Sequence, residues 1–128
     1  MLTEIPRVAS YGLFPTLISI FDLSKEASYD QMLETVHKTV TSKHELMKDS
    51  ESTYDEGMGN NWLDHITLKH FKQSMQQCVD FYSEEYNLKR TVIKNSWMNR
   101  VGKGGSVRSH RHEGSVVSGA FYPIADEG

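Results

Sequence analysis

The stretch from Trp97 to Tyr122, WMNRVGKGGSVRSHRHEGSVVSGAFY, carries most of the information about the fold of this chain. It contains two histidines one residue apart, a glycine-rich segment before them and an apolar run after them. Because alternate side chains of a strand share a face, His110 and His112 are expected to point the same way. Their Cβ atoms would lie roughly 6.5–7 Å apart, a distance at which two imidazoles can bind one metal ion. The pair is therefore a candidate set of metal ligands on a β structure.

Alternating hydrophobicity around this motif predicts three strands. They cover Thr91 to Val101, Ser106 to His112 and Val116 to Ile124, with a turn over Gly102 to Gly105. Trp97 and Asn99 share a face of the first strand, so they would line the same cavity as the histidines if the strand register allows it. Small residues at 118–120 either leave room for a ligand or belong to a close-packed barrel wall.

The earlier part of the chain predicts one strand and two helices. A strand is predicted over Leu13 to Leu23, with Pro15 at an edge or at its start. A helix follows from about Tyr29 to Leu46, with Ser28 as its N-cap. A polar loop over Asp49 to Asn61 then leads to a second helix capped by Thr67. The second helix has an apolar stripe typical of core packing, formed by Leu68, Phe71, Met75, Cys78, Val79, Tyr82 and Tyr86. The order of strand, helices and strands predicts an α+β fold, with an antiparallel β core and helices on one side.

Composition limits the classes of partner. A chain of 128 residues fits a single domain, residues 1–128. Its 14 basic and 17 acidic side chains give a net charge of −3, which disfavours nucleic acid as a partner. No apolar run approaches the ~20 residues needed to span a membrane, and no secretory signal opens the chain. With Cys78 as its one cysteine, the sequence predicts an intracellular, cytoplasmic protein.

Taken together, these motifs resemble a family of 2-oxoglutarate- and Fe(II)-dependent oxygenases encoded by marine bacteria and their phages. In that family a Trp-x-Asn strand leads through a glycine turn to His-x-His and then to Ser-Gly-x-Tyr-Tyr. The matching residues here are Trp97 to Asn99, His110 to His112 and Ser118 to Tyr122. The segments LFPTLI, from Leu13, and NNWLDHITL, from Asn60, occur in the same order, so the resemblance covers nearly the whole chain.

The resemblance implies a double-stranded β-helix (jelly roll) with two flanking helices. Residues 1–90 would form its N-terminal strand and helical segment, and residues 91–128 its first core strands. It also implies Fe(II) and 2-oxoglutarate as cofactors, with O2 as cosubstrate and an unknown substrate, a protein or peptide being one possibility. If the protein is phage-encoded, it would act in the cytoplasm of the bacterial host.

The family also suggests roles for individual residues. His110 matches the first histidine ligand, and His112 stands where related oxygenases place the carboxylate of a His-x-Asp pair. Glu113 is the adjacent alternative carboxylate. Asn99 is the implied hydrogen-bond partner of 2-oxoglutarate, and Tyr122 is expected to line the cofactor pocket together with Trp97.

One departure from the family pattern affects these expectations. The family takes its last histidine ligand, and the basic residue that pairs with 2-oxoglutarate, from strands downstream of Ser-Gly-x-Tyr-Tyr. The given sequence stops at Gly128, before such strands, which predicts an incomplete domain from a longer protein.

Two other interpretations compete with the oxygenase. A cupin-like metal protein fits Gly104, His110 and His112, but has valine where its motif needs Glu. A non-catalytic structural or accessory phage protein with a degenerate double-stranded β-helix is the other alternative.

Overall fold

The computed structural model describes residues 4–13, 16–55 and 60–123. Its regular elements, in chain order, are β1 (Arg7–Leu13), β2 (Thr16–Phe21), α1 (Tyr29–Lys38), β3 (Ser42–Lys43), β4 (Met47–Ser52), two short 3-10 turns (Trp62–Asp64 and Ile66–Leu68), α2 (Lys69–Glu85) and β5 (Asn99–Val107). These described residues thus form two helices and two small antiparallel sheets, and the α+β prediction is confirmed.

The first sheet is a hairpin of β1 and β2, in which Tyr11 pairs with Ile18. The predicted strand from Leu13 to Leu23 contains β2, but β1 was not predicted because its residues mix polar and apolar types without a clear period. Pro15 lies outside the described residues. The hairpin rests on α2, where the Tyr82 hydroxyl donates a hydrogen bond of 2.8 Å to the carbonyl of Leu17.

Helix α1 begins at Tyr29 after Ser28, as predicted, but it ends at Lys38 and not at Leu46. The residues that follow are rich in β-branched types, which lose side-chain freedom in a helix. The guanidinium of Arg100 closes the helix by donating to the carbonyls of Val36, at 2.5 Å, and Thr39, at 2.8 Å. A cation at the C-terminus of a helix satisfies free carbonyls and complements the helix dipole.

The predicted loop from Asp49 to Asn61 was wrong over its first residues, which belong to strand β4. This strand pairs with β3 on one side and β5 on the other. Its buried side chains are Ser50 and Ser52, at 8% and 2% exposure. Because these residues are polar, the strand has no hydrophobic alternation that sequence inspection can detect.

The second sheet contains a glycine bulge, defined as residues Gly102–Gly105 of β5. These four residues lie opposite Asp49 alone, because Val101 pairs with Ser50 and Ser106 with Lys48. The predicted turn is therefore a bulge within a single strand. A Cβ atom at Gly102 would overlap the carbonyl oxygen of Asp49, so the close approach of the two backbones requires glycine there.

The three predicted C-terminal strands were wrong in extent. Strand β5 combines the end of the first with the start of the second and stops at Val107. Residues 108–123 form no strand, and Ile124 lies outside the described residues. Residues 91–93 are held instead by the side chain of Gln76, which donates to the carbonyl of Thr91 and accepts from the amide of Ile93. One carboxamide thus satisfies backbone groups that a neighbouring strand would otherwise pair.

The core lies between the two helices and the segments that flank the sheets. It consists of Ile5, Leu23, Met32, Val36, Leu63, Leu68, Phe71 and Met98. Phe71 and Leu68 come from the predicted stripe of α2, and Met75 and Cys78 pack against the same cluster, so this part of the stripe is confirmed. Among the described residues, no helix is long and apolar enough to cross a lipid bilayer.

Candidate metal-binding site

The structure brings the two predicted metal ligands together. The ring centroids of His110 and His112 are 4.9 Å apart, and the ring planes are nearly perpendicular, at 88°. Both side chains are exposed and follow the end of β5. The short spacing along the chain keeps the rings close although the residues do not form a strand. The prediction that a strand places the two histidines on one face was therefore wrong, but the two rings do lie close together.

A hydrogen bond fixes the proton on one of these rings. The Nδ1 atom of His110 lies 2.7 Å from the carbonyl oxygen of Arg108. A carbonyl oxygen only accepts, so Nδ1 carries the proton and Nε2 keeps its lone pair in the neutral ring. Metal-binding histidines commonly donate their second nitrogen to a backbone carbonyl in this way, which orients the ring and raises its basicity.

A row of aromatic rings continues from the histidine pair into the second sheet. Trp97 lies 5.3 Å from His112, Tyr54 lies 5.3 Å from Trp97, and His44 lies 5.3 Å from Tyr54, all between ring centroids. We call His44, Tyr54, Trp97, His112 and His110 the ring row. Trp97 thus contacts the histidine pair, whereas no pattern in the sequence indicates Tyr54 or His44. Their part in the row depends on β4, the strand that sequence inspection missed.

Asn99 and Tyr122 occupy other positions. The Oδ1 atom of Asn99 accepts a hydrogen bond of 2.6 Å from the buried hydroxyl of Ser52, which ties this carboxamide to β4. Tyr122 is 77% exposed, while its neighbour Phe121 packs against Phe71 at a centroid distance of 5.0 Å. The roles of Asn99 and Tyr122 in holding a cofactor stay predictions.

The histidine pair has no third protein ligand among the described residues. In residues 4–13, 16–55 and 60–123, no group of three His, Cys, Asp or Glu side chains is placed to hold a metal ion. Glu113, the adjacent carboxylate, is exposed. Within the described residues, the candidate site therefore consists of two exposed histidine rings in contact with each other. A separate surface groove of about 370 Å³ lies along the start of α2, lined by Leu63, Ile66 and Gln73 among others, away from the pair.

The single thiol is a structural group. Cys78 lies half-buried on α2 against the core. Burial raises the pKa of its thiol to about 11, so it is protonated at neutral pH. This agrees with the buried helical position that the sequence predicts for Cys78, and the residue does not belong to the ring row.

Comparison with known proteins gives no family for the chain: no family model, no curated protein and no solved structure matches it.

Proposed function

We propose that this chain belongs to a 2-oxoglutarate- and Fe(II)-dependent dioxygenase with a double-stranded β-helix core. In this proposal His110 and His112 supply two of the protein ligands to iron. The observation that carries it is the ring pair at 4.9 Å, with the Nδ1 atom of His110 directed at a backbone carbonyl. Two histidines with open positions beside them are the protein part that non-haem Fe(II) oxygenases need, together with a carboxylate.

The donor set fits this group in part. Imidazole nitrogen is a suitable ligand for Fe(II), and the Nε2 atom of His110 is free to donate its lone pair. The described residues bring no carboxylate to the pair. The proposal therefore assigns two ligands and leaves the third unassigned.

The residues of this chain would bind and orient. When bound, Fe(II) would couple the conversion of 2-oxoglutarate and O2 to succinate and CO2 with hydroxylation of a substrate. His110 would keep its orientation through the Arg108 carbonyl, and contact with Trp97 would restrict the ring of His112 and shield one side of it from water. Asn99 and Tyr122 are the candidates for binding 2-oxoglutarate. The reducing cytoplasm is the proposed location, because the single thiol stays reduced there.

Succinate formation tests the proposal. The full-length protein would be incubated with Fe(II), ascorbate, 2-oxoglutarate and O2, and succinate measured against time. We expect His110→Ala to abolish succinate formation, because it removes the best-oriented ligand. His70→Ala is the matched control, since His70 is also exposed, lies on α2 and is not part of the ring row.

The outcomes separate the candidate functions. Equal succinate formation by His110→Ala and the parent protein would contradict the assignment. Metal binding without any succinate would favour the cupin-like alternative, and the absence of both would favour a non-catalytic accessory protein.

A further inference from the structure

Positive charge is concentrated in one part of this acidic chain. Residues 87–123 contain a single acidic side chain, Glu113, and seven basic ones, namely Lys89, Arg90, Lys94, Arg100, Lys103, Arg108 and Arg111. The ion pairs found among the described residues join Arg7 to Glu85, Lys38 to Glu34 and Lys72 to Asp64, and none of them uses a basic residue of this segment. The segment therefore has cationic side chains that no ion pair within the described part of the chain neutralises.

Three of these side chains belong to β5 or to the segment that follows it. Lys103 lies in the glycine bulge, and Arg108 and Arg111 flank His110 along the chain. All three are exposed. Arg100 is different, because its guanidinium is bound to the end of α1. Lys103, Arg108 and Arg111 form no ion pair with another described residue, so they are available to an anionic ligand.

The ring row offers aromatic surface beside this charge. The successive distances between ring centroids are 5.3, 5.3, 5.3 and 4.9 Å, so each of the five rings contacts the next. His110 and His112 are exposed, while Trp97, Tyr54 and His44 are half-buried. Partly exposed rings in a row next to cations are the combination with which proteins bind single-stranded nucleic acid, by stacking bases and contacting phosphates.

We propose that the ring row, with Lys103, Arg108 and Arg111, binds single-stranded nucleic acid. A single strand is favoured over a duplex, because only unpaired bases expose faces for stacking. An acidic peptide would use the cations but would leave the rings without a role. The net charge of −3 does not oppose this, because charges more than about 8–10 Å away are screened at physiological salt. The inference rests on the proposed function in one respect, that the bound strand would be the substrate of the dioxygenase. Binding of the strand itself requires no metal.

Fluorescence anisotropy tests the charge contribution. The full chain would be titrated into a labelled oligothymidylate of about 15 nucleotides, with EDTA present, across a range of salt concentrations. Three phosphate contacts predict a slope of log affinity against log salt of about −2. Arg108→Gln/Arg111→Gln should reduce the slope to about −0.7, whereas Lys25→Gln/Lys69→Gln, the same charge change at exposed lysines in the acidic part of the chain, should leave it near −2.

Substitution of an exposed ring tests the stacking contribution. His112→Ala should weaken oligothymidylate binding about fivefold or more, as expected for loss of one stacked base, and His70→Ala should leave it unchanged. The inference fails if Arg108→Gln/Arg111→Gln gives the same salt slope as Lys25→Gln/Lys69→Gln. It also fails if His112→Ala binds the oligonucleotide as tightly as its control, His70→Ala. It also fails if polyglutamate or vesicles of anionic lipid compete as well as unlabelled oligonucleotide.

Failure of this inference can be told apart from failure of the proposed function. Arg108→Gln/Arg111→Gln keeps the backbone carbonyl that orients His110, so it should retain iron binding while losing nucleic-acid affinity. A protein that binds iron through His110 but binds no oligothymidylate would overturn the inference and leave the proposed function standing.

Discussion

At the scale of single residues, His110 and His112 lie with their ring centroids 4.9 Å apart. Two residues separated by one position cannot move far apart, so their closeness did not depend on the strand assignment. Asn99 shows the opposite case. Its predicted role depended on which neighbour its side chain meets, and that neighbour proved to be Ser52 of the unpredicted strand β4.

The thiol of Cys78 gives a residue-scale prediction. Its pKa is about 11, raised from an ordinary value of 9.0 mainly by burial. In the folded protein at pH 9, only about a hundredth of the thiol is ionised, so alkylation by iodoacetamide should be slow and its rate should rise with a midpoint near pH 11. Because the pKa of the thiol is higher in the folded protein than in the unfolded chain, ionisation of Cys78 favours unfolding. Its contribution to the free energy of unfolding is fully present below pH 9 and is lost as the pH rises toward 11.

The unfolded protein is the control for this measurement. In concentrated urea the same thiol should titrate near its ordinary pKa of 9.0. A native midpoint near 9 would show that Cys78 is not held against the core.

At the scale of elements, helix α2 was predictable and the second sheet was not. The stripe of α2 repeats at helical spacing and is long enough to identify the element without its neighbours. Strand β4 buries two serines, and β5 is interrupted by the glycine bulge, so neither has the alternation that marks a strand. The end of α1 depends on Arg100, which is more than 60 residues away in sequence and therefore gives no local signal.

The glycine bulge gives an element-scale prediction. A Cβ atom at Gly105 would overlap the hydroxyl of Ser50 and the carbonyl oxygens of Asp49 and Gly102. Gly105→Ala should therefore lower the free energy of unfolding by about 1–3 kcal/mol, measured by urea denaturation. Gly119→Ala is the control, because no atom lies within 4 Å of the added Cβ, and it should change stability by less than about 0.5 kcal/mol.

If Gly105→Ala and Gly119→Ala unfold at the same urea concentration, the two strands do not approach each other as closely at the bulge as the structure describes. A larger loss for Gly105→Ala supports the packing that keeps β5 in one continuous strand beside β4.

At the scale of the whole molecule, the order of the predicted strands and helices correctly predicted the α+β class, whereas the net charge concealed how charge is distributed along the chain. The chain is acidic as a whole, yet half of its 14 basic residues lie after α2, in the segment that also contains Trp97, His110 and His112. Net charge averages over such segments, so the prediction that it disfavours nucleic acid does not take account of the local arrangement on which we base the proposed binding of a single strand. The largest buried side chains, in contrast, were predictable, because Met32 lies on α1, Phe71 lies on α2, and Leu68 directly precedes α2, all at positions of the predicted helical patterns.

The central claim is that the histidine pair binds a metal ion, and anaerobic calorimetric titration with Fe(II) tests it most directly. We expect one Fe(II) per chain, with at least about tenfold weaker binding in His110→Ala and in His112→Ala and unchanged binding in His70→Ala. Equal affinity in the parent protein and both pair variants, or no binding by the parent protein, would contradict the claim.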